Sequence, residues 1–375
     1  MQRQRQRLLL TVELVCRRKG LDRPLLKSII FRFLDTFPRL VVAGSLDGDV
    51  LLTRLGRLSA GSSLAGQQIR LSHSPGQAVH SVVVAKVGPG GERTLATGSA
   101  DGSVRLFAED GSLLLSFQAY PEQPVLSLQL GRVGAAERTL LATATGGAVA
   151  REEGELFDAA HLWEFEDHRK VPRAACALQH GLGVNGIAMS VSKQRLATAC
   201  DDRSAAIFDF SGRRLVTCRG HLSFVWEVAL SPNADFLATA CEDGQARLFD
   251  GLGQLLRVFA GQGSCVEVIL DQDARMLVAT AGNCMHIWSW ARGAPLVARH
   301  SSAVHCAAAV LSPLGLPGIP GALATKPKTA KLAGCGCILC GTDEGDIVEW
   351  SSTPTLVEEG RISAFRSAAV TLAVG

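Results

Sequence analysis

Residues 220–250 read Gly-His-Leu-Ser-Phe-Val-Trp-Glu-Val-Ala-Leu-Ser-Pro-Asn-Ala-Asp-Phe-Leu-Ala-Thr-Ala-Cys-Glu-Asp-Gly-Gln-Ala-Arg-Leu-Phe-Asp. The apolar residues Val225, Val228 and Leu230 mark a first short strand, broken by Ser231-Pro232. Phe236-Leu237-Ala238-Thr239-Ala240 forms a second strand and Ala246-Arg247-Leu248-Phe249-Asp250 a third. Between them, Glu242-Asp243-Gly244 supplies a tight turn, because glycine accepts the positive φ that such turns demand.

The same phrase recurs along the chain. It reads Val41-Val42-Ala43-Gly44-Ser45 with Asp47-Gly48, then Leu95-Ala96-Thr97-Gly98-Ser99 with Asp101-Gly102 and Val104-Arg105-Leu106-Phe107. A divergent third copy has Leu141-Ala142-Thr143-Ala144, Gly146-Gly147 and, after an insertion, His161-Leu162-Trp163. The fourth has Leu196-Ala197-Thr198-Ala199, Asp201-Asp202 and Ala206-Ile207-Phe208-Asp209. The sixth runs Val278-Ala279-Thr280-Ala281-Gly282-Asn283 to His286-Ile287-Trp288, and the seventh Cys337-Ile338-Leu339-Cys340-Gly341 through Asp343-Glu344-Gly345 to Trp350. From Asp202 to Asp243 the step is 41 residues, and from Asp243 to Asn283 it is 40. Four short strands at that period predict the blade of a β-propeller. A second pattern, apolar residues at i, i+3 and i+5 in the leading strand, agrees. It is met by Leu26, Ile29 and Phe31; Val79, Val82 and Val84; Val125, Leu128 and Leu130; Val184, Ile187 and Met189; and, more weakly, Cys306, Ala309 and Leu311.

From about Pro24 to Arg366 the chain resembles the WD40 repeat family. The resemblance implies an all-β fold, a seven-bladed β-propeller of four-stranded antiparallel blades. It also implies a buried network in each blade joining a loop His, a strand Ser or Thr, a turn Asp and a terminal Trp. The Gly-His pair stands clearly at Gly220-His221, and His221, Thr239 and Asp243 of the fifth blade are expected to retain most of the network. The terminal Trp is kept at Trp163, Trp288 and Trp350 and replaced at Phe107, Phe208 and Phe249.

Three parts are expected: a basic arm or closing strand over 1–23, the propeller over 24–366, and a C-terminal strand over 367–375. Either Leu8 to Val15 or Val357 to Phe365 can supply the outer strand of the last blade. Ala369, Leu372 and Val374 read as the start of a further leading strand, so eight blades or an incomplete terminal blade stand as alternatives.

Of the 375 residues, 47% are hydrophobic and 19% charged, ample for a core and unlike a disordered chain. The net charge of +3 argues against a dedicated nucleic-acid binder. No apolar run approaches the ~18 residues of a membrane helix. Eleven scattered cysteines read as buried free thiols of a reducing compartment, which places the protein in the cytoplasm or nucleus. The arginine-rich start, Arg3, Arg5 and Arg7, leaves a mitochondrial presequence as the other reading.

Gly181, Gly183 and Gly186 match the glycine spacing of a dinucleotide loop, but a strand rather than a helix follows. Cys335, Cys337 and Cys340 with His305 and Cys306 have thiolate and imidazole ligands suited to zinc, yet strand alternation divides them between two faces. No nucleophile elbow, zinc-protease helix or phosphate loop occurs. No catalytic residue, metal or cofactor is therefore assigned. The candidate partner face is Phe224, Trp226, Glu227, Glu242 and Glu267, where aromatic anchors among carboxylates suit a basic peptide or protein. Two insertions, Ala148 to Ala160 and Gly315 to Leu332, are further candidates for recognition. The expected function is a non-catalytic scaffold for protein–protein interaction within an intracellular complex. Alternatives are a ubiquitin-ligase substrate receptor, weakened because Phe208-Asp209-Phe210 and Phe249-Asp250-Gly251 lack the Trp and spaced Arg, a propeller hydrolase, and an RNA-associated factor using Lys326, Lys328 and Lys331.

Overall fold

A computed structural model describes residues 39–55, 67–87, 92–133, 138–146, 157–165, 171–261, 263–270, 276–289, 296–300, 304–311, 335–342, 344, 346–352, 356–363 and 369–374. The strands run in chain order as β1 (Arg39–Ser45), β2 (Asp49–Leu55) and β3 (Gln67–Ser72); β4 (Val79–Lys86), β5 (Arg93–Ser99), β6 (Ser103–Ala108) and β7 (Leu113–Gln118). Then come β8 (Ser127–Val133), β9 (Arg138–Ala144), β10 (Phe157–Phe165) and β11 (Arg173–His180); β12 (Val184–Ser190), β13 (Arg195–Cys200), β14 (Ala205–Asp209) and β15 (Arg214–Cys218). They continue as β16 (Val225–Leu230), β17 (Phe236–Cys241), β18 (Gln245–Asp250) and β19 (Leu255–Ala260); β20 (Cys265–Leu270), β21 (Met276–Ala281), β22 (Cys284–Ser289) and β23 (Leu296–Arg299). The last are β24 (Val304–Leu311), β25 (Cys335–Thr342), β26 (Asp346–Ser352), β27 (Leu356–Ser363) and β28 (Ala369–Val374).

These strands make seven four-stranded sheets, each a meander of consecutive strands except one, whose order is β28-β1-β2-β3. The strands with registers given pair antiparallel throughout. Leading strands of successive sheets touch in the cycle β28, β4, β8, β12, β16, β20, β24 and back to β28. The architecture is an all-β propeller of four-stranded antiparallel blades. Among the described residues, no helix is long and apolar enough to cross a membrane.

The closure differs from the sequence expectation. Ala369, Leu372 and Val374 do lie on a leading strand, but it pairs with β1 in the first sheet and does not open a further one. β1 is bonded to β2 on its other side, so both of its edges are filled. Leu26, Ile29, Phe31 and the whole of 1–38 lie outside the described residues. β27 takes the outer edge of the last sheet, the place expected for Val357 to Phe365. The seventh leading strand is also shifted: Val304 pairs with Thr342 ahead of a bulge, the place Val225 holds opposite Cys241. The repeat position therefore falls on Val304, Ala307 and Ala309 rather than on Cys306, Ala309 and Leu311. The first insertion is shorter than read, since Phe157 already belongs to β10; the second lies outside the described residues.

Stacking of the sheets explains the recurrent Leu-Ala-Thr-Ala phrase. A strand with one wet face alternates apolar and polar residues, whereas one covered on both faces does not. Second strands are covered on both, so Leu196, Ala197, Thr198, Ala199 and Cys200 are all buried. The small residues let neighbouring blades approach, and Phe208 and Phe249 fill the wider space. Outer strands face water, and β19 exposes Leu255, Leu256 and Val258.

The turns after the second strands share one geometry. Asp101, Asp202 and Asp243 each accept a bond from the backbone N–H two residues on. The residue between has positive φ: 79° at Gly102 and 82° at Gly244, but 64° at Arg203. A left-handed conformation costs a residue with a Cβ roughly 1–2 kcal/mol. Arg203→Gly is therefore expected to leave stability unchanged or raise it by about 1 kcal/mol, part of the relief being offset by glycine's greater freedom when unfolded. Gly244→Arg should lower stability. Urea unfolding of both variants checks this; a loss of stability in Arg203→Gly would contradict it.

Candidate functional site

In three blades a polar side chain just ahead of the leading strand meets the buried threonine of the second strand. In the fifth, His221 Nε2 lies 2.9 Å from Thr239 Oγ1, and His221 Nδ1 donates to the Arg203 carbonyl at 3.2 Å. Phe249 packs against the imidazole with ring centroids 5.6 Å apart. Asp243 does not reach this histidine by a hydrogen bond. Its carboxylate instead accepts from Arg247 Nη2 at 2.7 Å, from Arg247 Nη1 at 3.1 Å and from the Leu222 and Gln245 amides. Burial works against the charge, yet these bonds hold the Asp243 carboxyl at about 2.

Sequence reading missed a second network in the second blade. His73 lies 2.7 Å from Thr97 Oγ1 through Nδ1 and 2.8 Å from Ser103 Oγ through Nε2. Ser103 donates to Asp101 Oδ1 at 2.7 Å. That donation leaves Nε2–H to donate to Ser103, so Nδ1 accepts from Thr97. These are the residue types of a hydrolytic triad, but with the hydroxyl between acid and imidazole and its proton committed to the acid. No base is free to activate it. In the third blade Tyr120 takes the histidine's place and Trp163 Nε1 donates to Thr143 Oγ1 at 2.9 Å. The Thr198 and Thr280 hydroxyls have no hydrogen-bond partner among the described residues. The missing signal was spacing: His73 stands six residues before Val79, whereas His221 stands four before Val225.

The channel mouth is built by bulges. Pairing between β16 and β17 passes from Val225 directly to Glu227, leaving Trp226 as the extra residue. The same slip occurs at Asn185, Val266 and His80. A bulge frees the side chain from the ladder and re-aims it. Trp226 is half-buried there. Above it Leu222 is 74% exposed and Phe224 43%. Leu182, 45% exposed, holds the place of Ser223 in the neighbouring sheet, as Cys200 Sγ bonds its carbonyl and Cys241 Sγ bonds that of Ser223. Glu242 is exposed beside them and accepts from Ser223 Oγ at 2.7 Å. Asn185 ties Asp201 (2.7 Å) to the Val225 carbonyl (3.1 Å), bringing a further carboxylate to this rim. Burial, and then the charges of Asp202 and Glu242, raise the Asp201 carboxyl.

Below the rim, β4, β8, β12, β16 and β20 line a cavity of about 310 Å³ along the channel. Its exposed wall is mainly polar, with Glu227, Glu267 and His80 as ionisable members. Ser81 and Ser127 occupy the position equivalent to Glu227, and each accepts a backbone N–H of the next leading strand, from Leu128 and Ile187, both at 3.1 Å. Gly186 occupies the same position without a side chain, so Val228 N–H has no such partner. The Glu227 carboxyl folds back instead and accepts from Val228 N–H at 3.0 Å. A Cβ on Gly186 would fall 2.7 Å from Glu227 Oε1, so the glycine makes room for the acid. Burial pushes Glu227 up to about 8, and burial together with the Glu227 charge raises Glu267 well above the usual carboxylate range.

Of the five residues read as a partner face, the structure therefore brings Glu227 and Glu267 together inside the channel and sets Phe224 and Glu242 on the rim above, with Trp226 between. Gly183 and Gly186 serve close approach of the neighbouring sheet rather than a phosphate; β12 begins directly after Gly183 and contains Gly186. In the cysteine group, Cys306 and Cys340 are buried and Cys340 Sγ contacts Met285 Sδ at 3.4 Å; the side chains of His305, Cys335 and Cys337 lie outside the described residues.

A ring of four-stranded antiparallel blades around an axial channel defines a β-propeller. Within it, residues 212–250 match the family model of the WD40 repeat (WD domain, G-beta repeat). The match spans one repeat of the ring. Among solved structures the chain is similar in fold to the computationally designed Ika8 protein, with 16% identity, a TM-score of 0.55, and coverage of 88% of this chain and 86% of that one. No curated protein matches it in sequence.

Proposed function

We propose that this chain is a non-catalytic scaffold, one seven-bladed ring that holds partner proteins at the rim of its axial channel. The observation that carries the reading is the juxtaposition of exposed apolar side chains, Leu222 and Phe224, with the carboxylates of Glu242 and Asp201. Apolar anchors give affinity by leaving water, and surrounding charge of one sign selects the partner and speeds encounter. A basic segment bearing an apolar residue fits that surface. Eight described cysteines are free thiols, which supports a cytoplasmic or nuclear complex.

The test is recovery of partners from the protein's native cells on Phe224→Ala, Trp226→Ala and Glu242→Lys. Phe224 and Glu242 are exposed, so their loss leaves the core intact. Recovery is expected to fall about tenfold or more for an anchor, in line with truncation costs of ~2 kcal/mol at the centre of an interface. Undiminished recovery on all three folded variants would refute the reading.

A further inference from the structure

The Glu267 carboxyl lines the channel, half-buried, and has no hydrogen-bond partner among the described residues, whereas Glu227 accepts a single backbone N–H. Two neighbouring acids with unfilled acceptor sites line a cavity of about 310 Å³, at the small end of the ~300–1,000 Å³ range of ligand pockets. Stability alone does not account for them. The equivalent position is a serine in two blades and a glycine in a third, and an ionised carboxyl in such a place is costly unless a cation meets it.

We propose that this cavity is a cation site, taking one guanidinium or ammonium head, the arginine or lysine side chain of a basic partner segment, between the Glu227 and Glu267 carboxyls. The proposal rests on the reading of the rim as a partner face and gives that partner its anchor. The N–H donors of such a side chain fill the acceptor sites the protein leaves open. Without the cation, the paired acids hold a proton, since burial raises both and the Glu227 charge raises Glu267 further. With it, both are carboxylates and the displaced proton passes to solvent. The other titratable neighbours do not compete. His80 on the cavity wall is held below its usual value by burial, Cys241 on β17 is raised by burial, and Cys265 beside Glu267 is pushed up to about 12. β24 adds the buried Cys306.

Calorimetric titration of the full chain with N-acetyl-arginine methylamide and with its uncharged citrulline counterpart separates charge from shape. The arginine derivative is expected to bind about tenfold or more tightly, the worth of ~1.4 kcal/mol from charge-assisted bonds. Below the pH at which Glu227 titrates, it should release on the order of one proton, read from titrations in two buffers of different ionisation enthalpy. Glu267→Gln and Glu227→Gln, each isosteric and uncharged, should abolish the difference. Equal affinity for the two derivatives, or an arginine preference that persists in both variants, would overturn the proposal. The comparison of derivatives on the unaltered protein decides the matter even where a variant does not fold. If arginine fails to bind while Phe224→Ala still loses its partners, the cation site falls and the scaffold reading stands. The reverse result removes the rim and keeps the site.

Discussion

Asp243→Ala is expected to lower the stability of the propeller by ~3–5 kcal/mol, the cost of leaving one member of a buried ion pair alone. Arg247 retains 3% of its side-chain exposure and Asp243 7%, with 2.7 Å between Arg247 Nη2 and Asp243 Oδ2. Removing the carboxylate strands the guanidinium with Gln245 Oε1, at 2.8 Å, as its remaining side-chain acceptor. It also takes the acceptor from the Leu222 and Gln245 amides, so the turn and the loop that carries Phe224 lose their tie. Asp243→Asn keeps an acceptor and should cost less. The double change Asp243→Ala with Arg247→Leu should recover part of the loss, because no charge is then buried without a partner. Urea unfolding of the four proteins measures this. A loss below about 1 kcal/mol for Asp243→Ala would place the pair among surface-like bridges of little worth.

Stability is expected to peak near pH 6.5 and to fall on both sides, for opposite reasons. His73, His180 and His221 are each lowered to about 4, by burial first and then by the positive charge of Arg105, Arg214 and Arg247 respectively. An unfolded histidine takes a proton near 6.5, so between pH 6.5 and 4 the unfolded chain binds protons that the folded one refuses. Stability is then lost as pH falls, at up to ~1.4 kcal/mol per unit for each histidine. Below the usual carboxylate range Asp101 and Asp243, both held at about 2, add to the loss. The Glu227 and Glu267 pair has the reverse sign. Raised in the folded state, it keeps a proton that the unfolded chain releases near 4.5, and its contribution disappears as pH rises towards 8. Below 6.5 the three histidines outweigh the pair; above 6.5 the pair acts alone. Thermal melts from pH 4 to 8 should therefore trace a dome. Glu267→Gln should flatten its alkaline side and leave the acid side in place. A melting temperature that rises steadily to pH 8 would contradict the assignment.

Much of the fold was legible because a propeller repeats its physics. Every second strand is squeezed between two blades, so Leu-Ala-Thr-Ala recurs wherever that environment recurs. The following turns at Gly48, Gly102 and Gly244 have positive φ, so Asp-Gly recurs as well. The candidate site was legible only in outline. Phe224, Trp226, Glu227, Glu242 and Glu267 were singled out as aromatic anchors among carboxylates, which says what they could bind but not how they are placed. That Gly186 clears space for Glu227 was not legible, since the two residues lie 41 positions apart and meet only across a blade interface. Nor was the His73 network, whose loop is two residues longer than that of His221. Arg247 read as one polar residue in a strand; in the structure it is buried against the Asp243 carboxylate.

Local chemistry set the strands, their turns and the period, because alternation, chain breaks and glycine act over a few residues. The closing of the ring was a different matter. Ala369, Leu372 and Val374 carry the same apolar spacing that any leading strand carries, and nothing within them says whether they begin a new blade or complete the first. Their partner is β1, more than three hundred residues away, and only the meeting of two edges with unpaired backbone groups decides it. The charge state of the channel acids was decided in the same way. A glutamate in the sequence is an anion by default, and it is the enclosure of Glu227 and Glu267 on adjoining strands that makes one of them hold its proton.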